Sequence, residues 1–235
     1  DVDSVPVGRY EKQTCTEMIY TSTLKERTVP QVKSTGNPEA LQWLRGEIMA
    51  AIETWREHCG GDDYWREPLV GVASADDTLF RKLRNVVDPQ HAMPQDLLSE
   101  AKSVIVFFLP FQRWVGKENE KTETFAARSW AECYVATNKL IASINDRLRQ
   151  SLEEMGQQAA VTPATHNFDE EKLVSRWSHK HLAYIAGLGT FGHHNLLITE
   201  AGCCGRLGSL VTDMVLPPTE RPGSEWCLSK AGKRC

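Results

Sequence analysis

The stretch that decides the fold is Ser103-Val-Ile-Val-Phe-Phe-Leu109, which ends at Pro110. Its β-branched and aromatic residues are typical of strands, and its uninterrupted apolar character predicts a buried strand. Because a strand of this kind needs partners on both sides, we expect it to lie near the centre of a sheet.

The segments around this strand alternate between helical and strand patterns. An N-cap at Asn37 and apolar residues at helical spacing predict a helix that ends at Gly60. A longer apolar stripe predicts a helix over residues 124–155, with its aromatic side chains, Tyr134 among them, in the core.

A further helix is expected at residues 76–87. The other predicted strands are 68–73, 158–162, 194–199 and 207–215. The last two are close enough in sequence to pair as a hairpin. The expected fold class is therefore α+β, with a mixed central sheet flanked by helices.

The composition is that of an ordinary folded domain, since 41% of the 235 residues are hydrophobic and 25% are charged. A net charge of -4 provides no basic field for phosphate backbones, so duplex nucleic acid is not expected as a partner. No run approaches the roughly 18 apolar residues that a membrane helix requires. Seven irregularly spaced cysteines favour a reducing compartment over a disulfide framework. We expect a soluble, cytoplasmic protein without a membrane partner.

Gly187, Gly189 and Gly192 form the pattern G-x-G-x-x-G. In a dinucleotide-binding fold this pattern follows a strand and opens a helix, whereas here a helical stretch precedes it and a strand follows. A helix C-cap and a tight turn explain one or two of the glycines. The third indicates a loop without side chains, whose backbone can approach a large flat ligand closely. On that reading, replacing Gly189 with Val abolishes ligand binding and leaves the fold largely intact.

Polar residues cluster before and after this loop. Arg176, Trp177, Ser178 and His179 supply a cation, a stacking surface, a hydroxyl and a titratable proton donor in consecutive positions, a mixture typical of a ligand rim. The histidines nearby lack the i, i+4 spacing of a helical zinc site. The adjacent Cys203 and Cys204 favour a tight chain crossing, and Arg206 is a candidate for binding a carboxylate, amide or phosphate.

The same segments resemble a known superfamily. The core Ala186-Gly-Leu-Gly-Thr-Phe-Gly192, the following Leu197-Ile-Thr-Glu-Ala-Gly202 and Arg206-Leu-Gly-Ser-Leu-Val-Thr-Asp213 are similar to motifs of the epoxyqueuosine reductases and reductive dehalogenases, in the same order. The loop and strand from Pro89 to Val106 also resemble this group, so the likeness covers about residues 70–225. It implies a nitroreductase-like cobalamin-binding domain followed by a domain with two 4Fe-4S clusters.

The residue patterns and the resemblance together give the expected domain boundaries. Residues 1–36 are expected to form an N-terminal arm, 37–222 the corrinoid-binding reductase domain, and 223–235 the start of a truncated ferredoxin-like domain. In that last segment Cys227 and Cys235 would be partial cluster ligands, and Cys235 resembles the first cysteine of a ferredoxin run.

Roles for individual residues follow from the likeness and from the polar cluster. His179, Arg176 and Asp169 are the candidates for proton transfer or substrate orientation. Where epoxyqueuosine reductases carry an Asp-Ser-x-Pro stretch that ends in an acidic catalytic residue, this chain departs from the pattern with Asn167-Phe-Asp-Glu-Glu171. The residues expected at the cobalamin are Trp177, Ser178, His181, Gly187, Leu188, Gly189, Thr190, Phe191, Gly192, Asn195, Leu197, Thr199 and Arg206.

These expectations describe a corrinoid-dependent, iron–sulfur-linked reductase of a small or nucleoside-like substrate, with a ferredoxin or flavodoxin as electron donor. Two alternatives stay open. One is a non-catalytic corrinoid or electron-transfer protein, and the other is a flavin-dependent reductase on the same fold.

Overall fold

The structure is a computed structural model that describes residues 38–59, 63–162, 168–169, 171 and 174–234. The expected N-terminal arm, residues 1–36, and Cys235 lie outside the described residues.

The predicted helices and strands occur in the predicted order, with further short helices and strands between them. The helices are α1 (Pro38–Cys59), α2 (Thr78–Val86), α3 (Pro94–Leu97), α4 (Arg113–Glu120), α5 (Arg128–Glu154) and α6 (His179–Ile185). The strands are β1 (Leu69–Ser74), β2 (Ser103–Pro110), β3 (Ala159–Val161), β4 (Phe168–Asp169), β5 (Val174–Ser175), β6 (Thr190–Phe191), β7 (Leu197–Ile198) and β8 (Gly205–Thr212). None of these helices of the described residues is long and apolar enough to cross a membrane.

The central sheet has four strands in the order β1-β2-β8-β3. All eight residues of β2 are buried, and the strand pairs with β1 on one side and with β8 on the other. The α+β class and the central position of residues 103–109 are thus confirmed.

Two details of the expected sheet are wrong. Every pairing in the described part of the sheet is antiparallel, so it is not mixed. Strand β8 also does not pair with β7: it lies between β2 and β3, while β7 forms a separate two-stranded hairpin with β6. The reason is a tight turn after β7, in which Thr199 and Gly202 exchange backbone hydrogen bonds and the chain is redirected toward the sheet.

Side chains of β2 point alternately into two cores. Phe107 and its neighbours on one face pack against α1 and α5, and Phe108 and its neighbours on the other face pack against α2 and α6. In α5, buried residues recur every three or four positions, as at Leu140, Ile144 and Leu148, which confirms the apolar stripe. The result is a sheet covered by helices on both faces.

The segment after β8 returns along the outer edge of the sheet. The backbone N–H of Thr219 donates to the carbonyl of Val72 over 2.8 Å, and the N–H of Val72 donates to the Thr219 hydroxyl over 3.0 Å. Nearby, the guanidinium of Arg221 pairs with Asp77, the N-cap of α2, over 2.7 Å. The edge strand β1 is therefore hydrogen-bonded on both sides over part of its length.

Candidate functional site

An open cleft of about 230 Å³ lies where the start of β8 meets the start of α6 and the β6–β7 hairpin. Its apolar lining comes from three separate segments of the chain. These side chains are Phe108, Leu196, Leu197 and Leu207. Leu196 is 52% exposed, so it leaves apolar surface facing solvent at the cleft.

The polar part of the lining is basic and nucleophilic. It consists of His179, Lys180, Thr199, Cys203 and Arg206. No Asp or Glu of the described residues belongs to the lining, although the chain as a whole carries a net charge of -4. The cleft is therefore a local region of positive charge in an acidic protein.

His179, the first residue of α6, is positioned by a buried hydrogen-bond chain. The indole Nε1–H of Trp177 donates to Ser209 Oγ over 3.0 Å, and Ser209 Oγ lies 3.1 Å from Nδ1 of His179. Trp177 and Ser209 are both buried. A hydroxyl has one hydrogen and two lone pairs, so Ser209 can donate to Nδ1 of a neutral ring or accept from Nδ1–H of an imidazolium. A neutral ring protonated on Nδ1 also donates to Ser209, and in that tautomer Nε2 has no proton.

His91 and His181 belong to a second hydrogen-bond network, which lies beside the network that positions His179. The imidazole rings of both residues are neutral. His91 is fully buried; its Nδ1 lies 2.8 Å from the carbonyl of Ala92, and its Nε2 accepts the backbone N–H of Ser178 over 3.1 Å. Burial lowers the pKa of His91. Burial, with the nearby positive charge of Lys180, also lowers the pKa of His181 to about 4.

The ring of His181 faces protein rather than the cleft. Its Nδ1 lies 2.8 Å from the hydroxyl of Ser178, and its ring packs 4.9 Å from that of Phe191. The expected cofactor contact at His181 is therefore not among the cleft-lining positions. We interpret His91 and His181 as residues that fix the turn before α6, and so the position of His179.

The structure corrects the reason given for the three glycines. A Cβ on Gly187 would lie 2.5 Å from the carbonyl oxygen of Glu220, one on Gly189 would collide with the carbonyl of Ile198, and one on Gly192 would lie 2.5 Å from the imidazole of His194. Protein atoms thus fill the space beside each glycine. On the side where a Cβ would lie, the glycines permit close packing of the chain on itself.

Two of the three catalytic candidates lie away from the cleft. Arg176 is exposed, and its carbonyl accepts the N–H of Ala92 over 2.8 Å. Asp169 is exposed and accepts the N–H of Glu171 over 3.0 Å. The structure therefore brings only His179 of this group into the cleft.

The other residues expected at the cofactor divide in the same way. Leu197, Thr199 and Arg206 line the cleft. Those outside the lining are Trp177, Ser178, Leu188, Thr190, Phe191 and Asn195. The hydroxyl of Thr190 is used by the protein itself, since it accepts the backbone N–H of Trp226 over 2.9 Å.

Two polar residues of the lining, Lys180 and Cys203, were not predicted as site residues, and Tyr134, which contacts the lining residue Arg206, was predicted to lie in the core. Lys180 stands inside the polar run 178–181, so a reading by charge alone would have included it. Cys203 is exposed at the cleft, whereas burial raises the pKa of its neighbour Cys204. Tyr134 is 40% exposed rather than buried in the core, and Arg206 lies over its ring at 4.2 Å from the centroid. Nothing in the periodicity of α5 distinguishes Tyr134 from the buried positions of the stripe.

Cys227 has an environment that stabilises a thiolate. It is buried, and the backbone N–H groups of Lys230, His193 and Ser229 donate to its sulfur, which lowers its pKa. Among the residues that the structure describes, no group of three or more His, Cys, Asp or Glu side chains could hold a metal ion. Cys235, which was predicted to be a cluster ligand together with Cys227, lies outside the described residues.

The fold and the cleft define an α+β domain with a basic, apolar-walled cleft beside its central sheet. No protein-family model and no curated protein sequence matches the chain. Solved structures do. An epoxyqueuosine reductase from Bacillus subtilis is 17% identical with a TM-score of 0.48, over 80% of this chain and 49% of that chain.

Two further structures are also similar. An epoxyqueuosine reductase with an epoxyqueuosine-modified tRNA stem loop is 15% identical, with a TM-score of 0.47, over 80% of this chain and 49% of that chain. A catabolic reductive dehalogenase in complex with 3-bromo-4-hydroxybenzoic acid is 16% identical, with a TM-score of 0.45, over 73% of this chain and 21% of that chain. The chain thus spans about half the length of the epoxyqueuosine reductases that it matches. Both groups are those that the sequence motifs resemble.

Proposed function

We propose that this chain forms the corrinoid-binding, substrate-reducing part of a reductase that acts on a small or nucleoside-like substrate, with His179 as its proton donor. The motifs around residues 186–213 support the class of enzyme. The observation that carries the assignment to this cleft is the position of His179 on the cleft wall, held by Ser209 and Trp177.

The chemistry of His179 suits this role. A reduction consumes protons as well as electrons, and a histidine can deliver a proton near neutral pH. When the imidazolium releases its Nε2 proton to the substrate, Nδ1–H stays bonded to Ser209 Oγ. The imidazolium is restored when Nε2 takes up a proton from water, and Nδ1–H donates to Ser209 Oγ throughout. Ser209 therefore keeps its hydrogen bond to His179 in both protonation states of the ring, and its oxygen does not have to move.

The residues of the cleft would contact one side of a bound corrinoid, and they would not enclose it. The cleft of about 230 Å³ is smaller than the roughly 300–1,000 Å³ of pockets that enclose drug-sized ligands. Leu196, Leu197 and Leu207 would hold it by apolar contact, and Arg206 by a hydrogen bond to an amide or phosphate at its edge. A bound corrinoid supplies the electrons for bond cleavage through its cobalt.

Binding by the chain itself tests the cofactor. We expect hydroxocobalamin to bind, with a change in its absorption spectrum, and flavin mononucleotide not to bind. Binding of the flavin alone would contradict the corrinoid assignment and support a flavin-dependent reductase on this fold.

Turnover tests the role of His179 once binding is established. In the reductase with reductant and a candidate halide or epoxide, His179→Gln should retain cobalamin and lose activity by about a hundredfold or more, since a positioned general acid contributes about 10²- to 10⁴-fold. His58→Gln, an exposed histidine near the end of α1, is the matched control. Cobalamin binding without turnover in any substrate would instead indicate a carrier protein.

The same proposal extends to an iron–sulfur cluster that begins near Cys227. Backbone N–H groups directed at the Cys227 sulfur support a thiolate ligand, because such hydrogen bonds stabilise its negative charge and tune cluster potentials. In the longer protein that this proposal implies, Cys227→Ser should lower the iron content relative to a Cys59→Ser control. Equal iron in both variants would remove Cys227 from the ligand set. A ferredoxin or flavodoxin would then supply electrons to the cluster.

A further inference from the structure

The cleft contains two cations and no opposing carboxylate. Lys180 and Arg206 belong to its lining, and no Asp or Glu of the described chain does. Both side chains are partly buried. Two positive charges that line one cleft, with no carboxylate among the other lining residues, make the cleft a favourable site for a negatively charged ligand.

The partners of these two cations are neutral. The ammonium of Lys180 lies 3.3 Å from the carbonyl oxygen of Asn195, and the guanidinium of Arg206 lies over the ring of Tyr134. In the described residues, neither cation comes within ion-pair distance of a carboxylate, whereas Arg221 and Arg147 each form an ion pair. Carbonyl and ring contacts orient a cation without neutralising it. Both charges therefore remain available to a ligand.

We propose that this cleft binds a small organic anion, a carboxylate or phosphate carried on an apolar body, with Lys180 and Arg206 as the counter-charges. The planar guanidinium of Arg206 matches a carboxylate or phosphate in a bidentate manner, and Lys180 adds a point charge. The apolar body packs against Phe108, Leu197 and Leu207. At about 230 Å³ the cleft takes a single ring or a short chain.

The anionic group has two chemical sources. It is either a free substrate with its own carboxylate or phosphate, or the phosphate in the nucleotide tail of a corrinoid. The inference uses the cleft of the proposed function, but it does not require a corrinoid to bind there.

Calorimetric titration of the chain tests the inference. The probes are benzoate and phenyl phosphate, with benzamide as the neutral match for benzoate. We expect the two anions to bind, benzamide to bind at least tenfold more weakly, and the anion affinities to fall as salt is raised, because salt screens a partly exposed charge pair. Equal binding of benzoate and benzamide, or no binding of either anion, would overturn the inference.

Charge-removing variants locate the site. Lys180→Met and Arg206→Met should each weaken benzoate or phenyl phosphate binding by about tenfold, the effect of losing a charge-assisted hydrogen bond at a partly exposed site. Lys102→Met is the matched control, because Lys102 is exposed and lies at the other end of β2 from the cleft. The same loss in the control would mean that net charge, and not this cleft, governs binding. Thermal unfolding of each variant checks that it is folded.

A comparison of cobalamin with cobinamide, which lacks the nucleotide tail, separates the two sources. If the phosphate of the tail is the ligand group, the two cleft variants weaken cobalamin binding and leave cobinamide binding unchanged. If a free substrate is the ligand, the two variants weaken benzoate or phenyl phosphate binding and change cobalamin and cobinamide binding by the same factor. Anion binding with no binding of either corrinoid supports the anion site and contradicts the proposed cofactor.

Discussion

The neutral ring of His181 makes the stability of this protein depend on pH. Its pKa is about 4 in the folded chain, against 6.5 as the ordinary value, and burial is the main cause. Between these two values the unfolded chain binds a proton that the folded chain excludes, so the free energy of unfolding must fall as the pH falls. A shift of this size corresponds to about 3 kcal/mol in total, at about 1.4 kcal/mol for each pKa unit.

Most of that loss occurs in an accessible range. From about pH 8 to about pH 5 the unfolded histidine becomes protonated and the folded one does not, which removes about 2 kcal/mol from the free energy of unfolding. Below about pH 4 the folded ring is protonated as well, and this contribution stops changing. The lowered pKa of His91, which is also caused mainly by burial, acts in the same direction.

Urea unfolding at several pH values measures the effect. His181→Gln removes the titrating ring and keeps a side chain that can hydrogen-bond to Ser178. We expect the variant to lose about 2 kcal/mol less than the wild type between about pH 8 and about pH 5, with the same dependence on urea concentration. Parallel pH curves for the two proteins would refute the reasoning, since every other titrating group is common to both.

Three further predictions concern core packing and the hydrogen bonds that position His179. Gly189→Ala should destabilise the fold by about 1–3 kcal/mol in thermal or urea unfolding, because its Cβ would collide with the Ile198 carbonyl. An unchanged stability would instead support the open loop expected from the sequence. Phe107→Ala should cost about 3–5 kcal/mol through a cavity in the larger core, and a loss below about 1 kcal/mol would contradict that packing. Ser209→Ala leaves the Trp177 indole N–H without its acceptor and should cost about 1–3 kcal/mol; it should also move the pH–rate profile of turnover, which a purely structural role would leave in place.

The sheet and its helices were predictable because their signals are local. The apolar run at residues 103–109 is uninterrupted, and the apolar residues of α5 recur every three or four positions. These local patterns are enough to indicate that the side chains are buried. The pairing of β8 was not predictable in the same way. Its partner is decided by the turn at Thr199–Gly202, which a sequence pattern reads only as a short connection between two strands.

The site was predicted in part for a similar reason. His179 and Arg206 were identified from their residue types, and they do meet in one cleft. The glycines show where side chains are missing, but a sequence does not show what fills the space, and here it is the backbone of residues 198 and 220. Tyr134 shares the spacing of buried neighbours, and only the position of β8 beside the early turns of α5 places its ring next to Arg206.

Thr219 forms two hydrogen bonds with Val72 on the edge strand β1. A shortened version of this protein must therefore extend past residue 219 to keep that edge covered. An exposed sheet edge invites pairing with a second copy, and here the segment that follows β8 occupies part of that edge. A version shortened to end before Pro217 would lack Thr219 and Arg221, and it would leave Val72 and Asp77 without these partners. Such a version should aggregate at concentrations at which one ending after residue 222 remains dispersed.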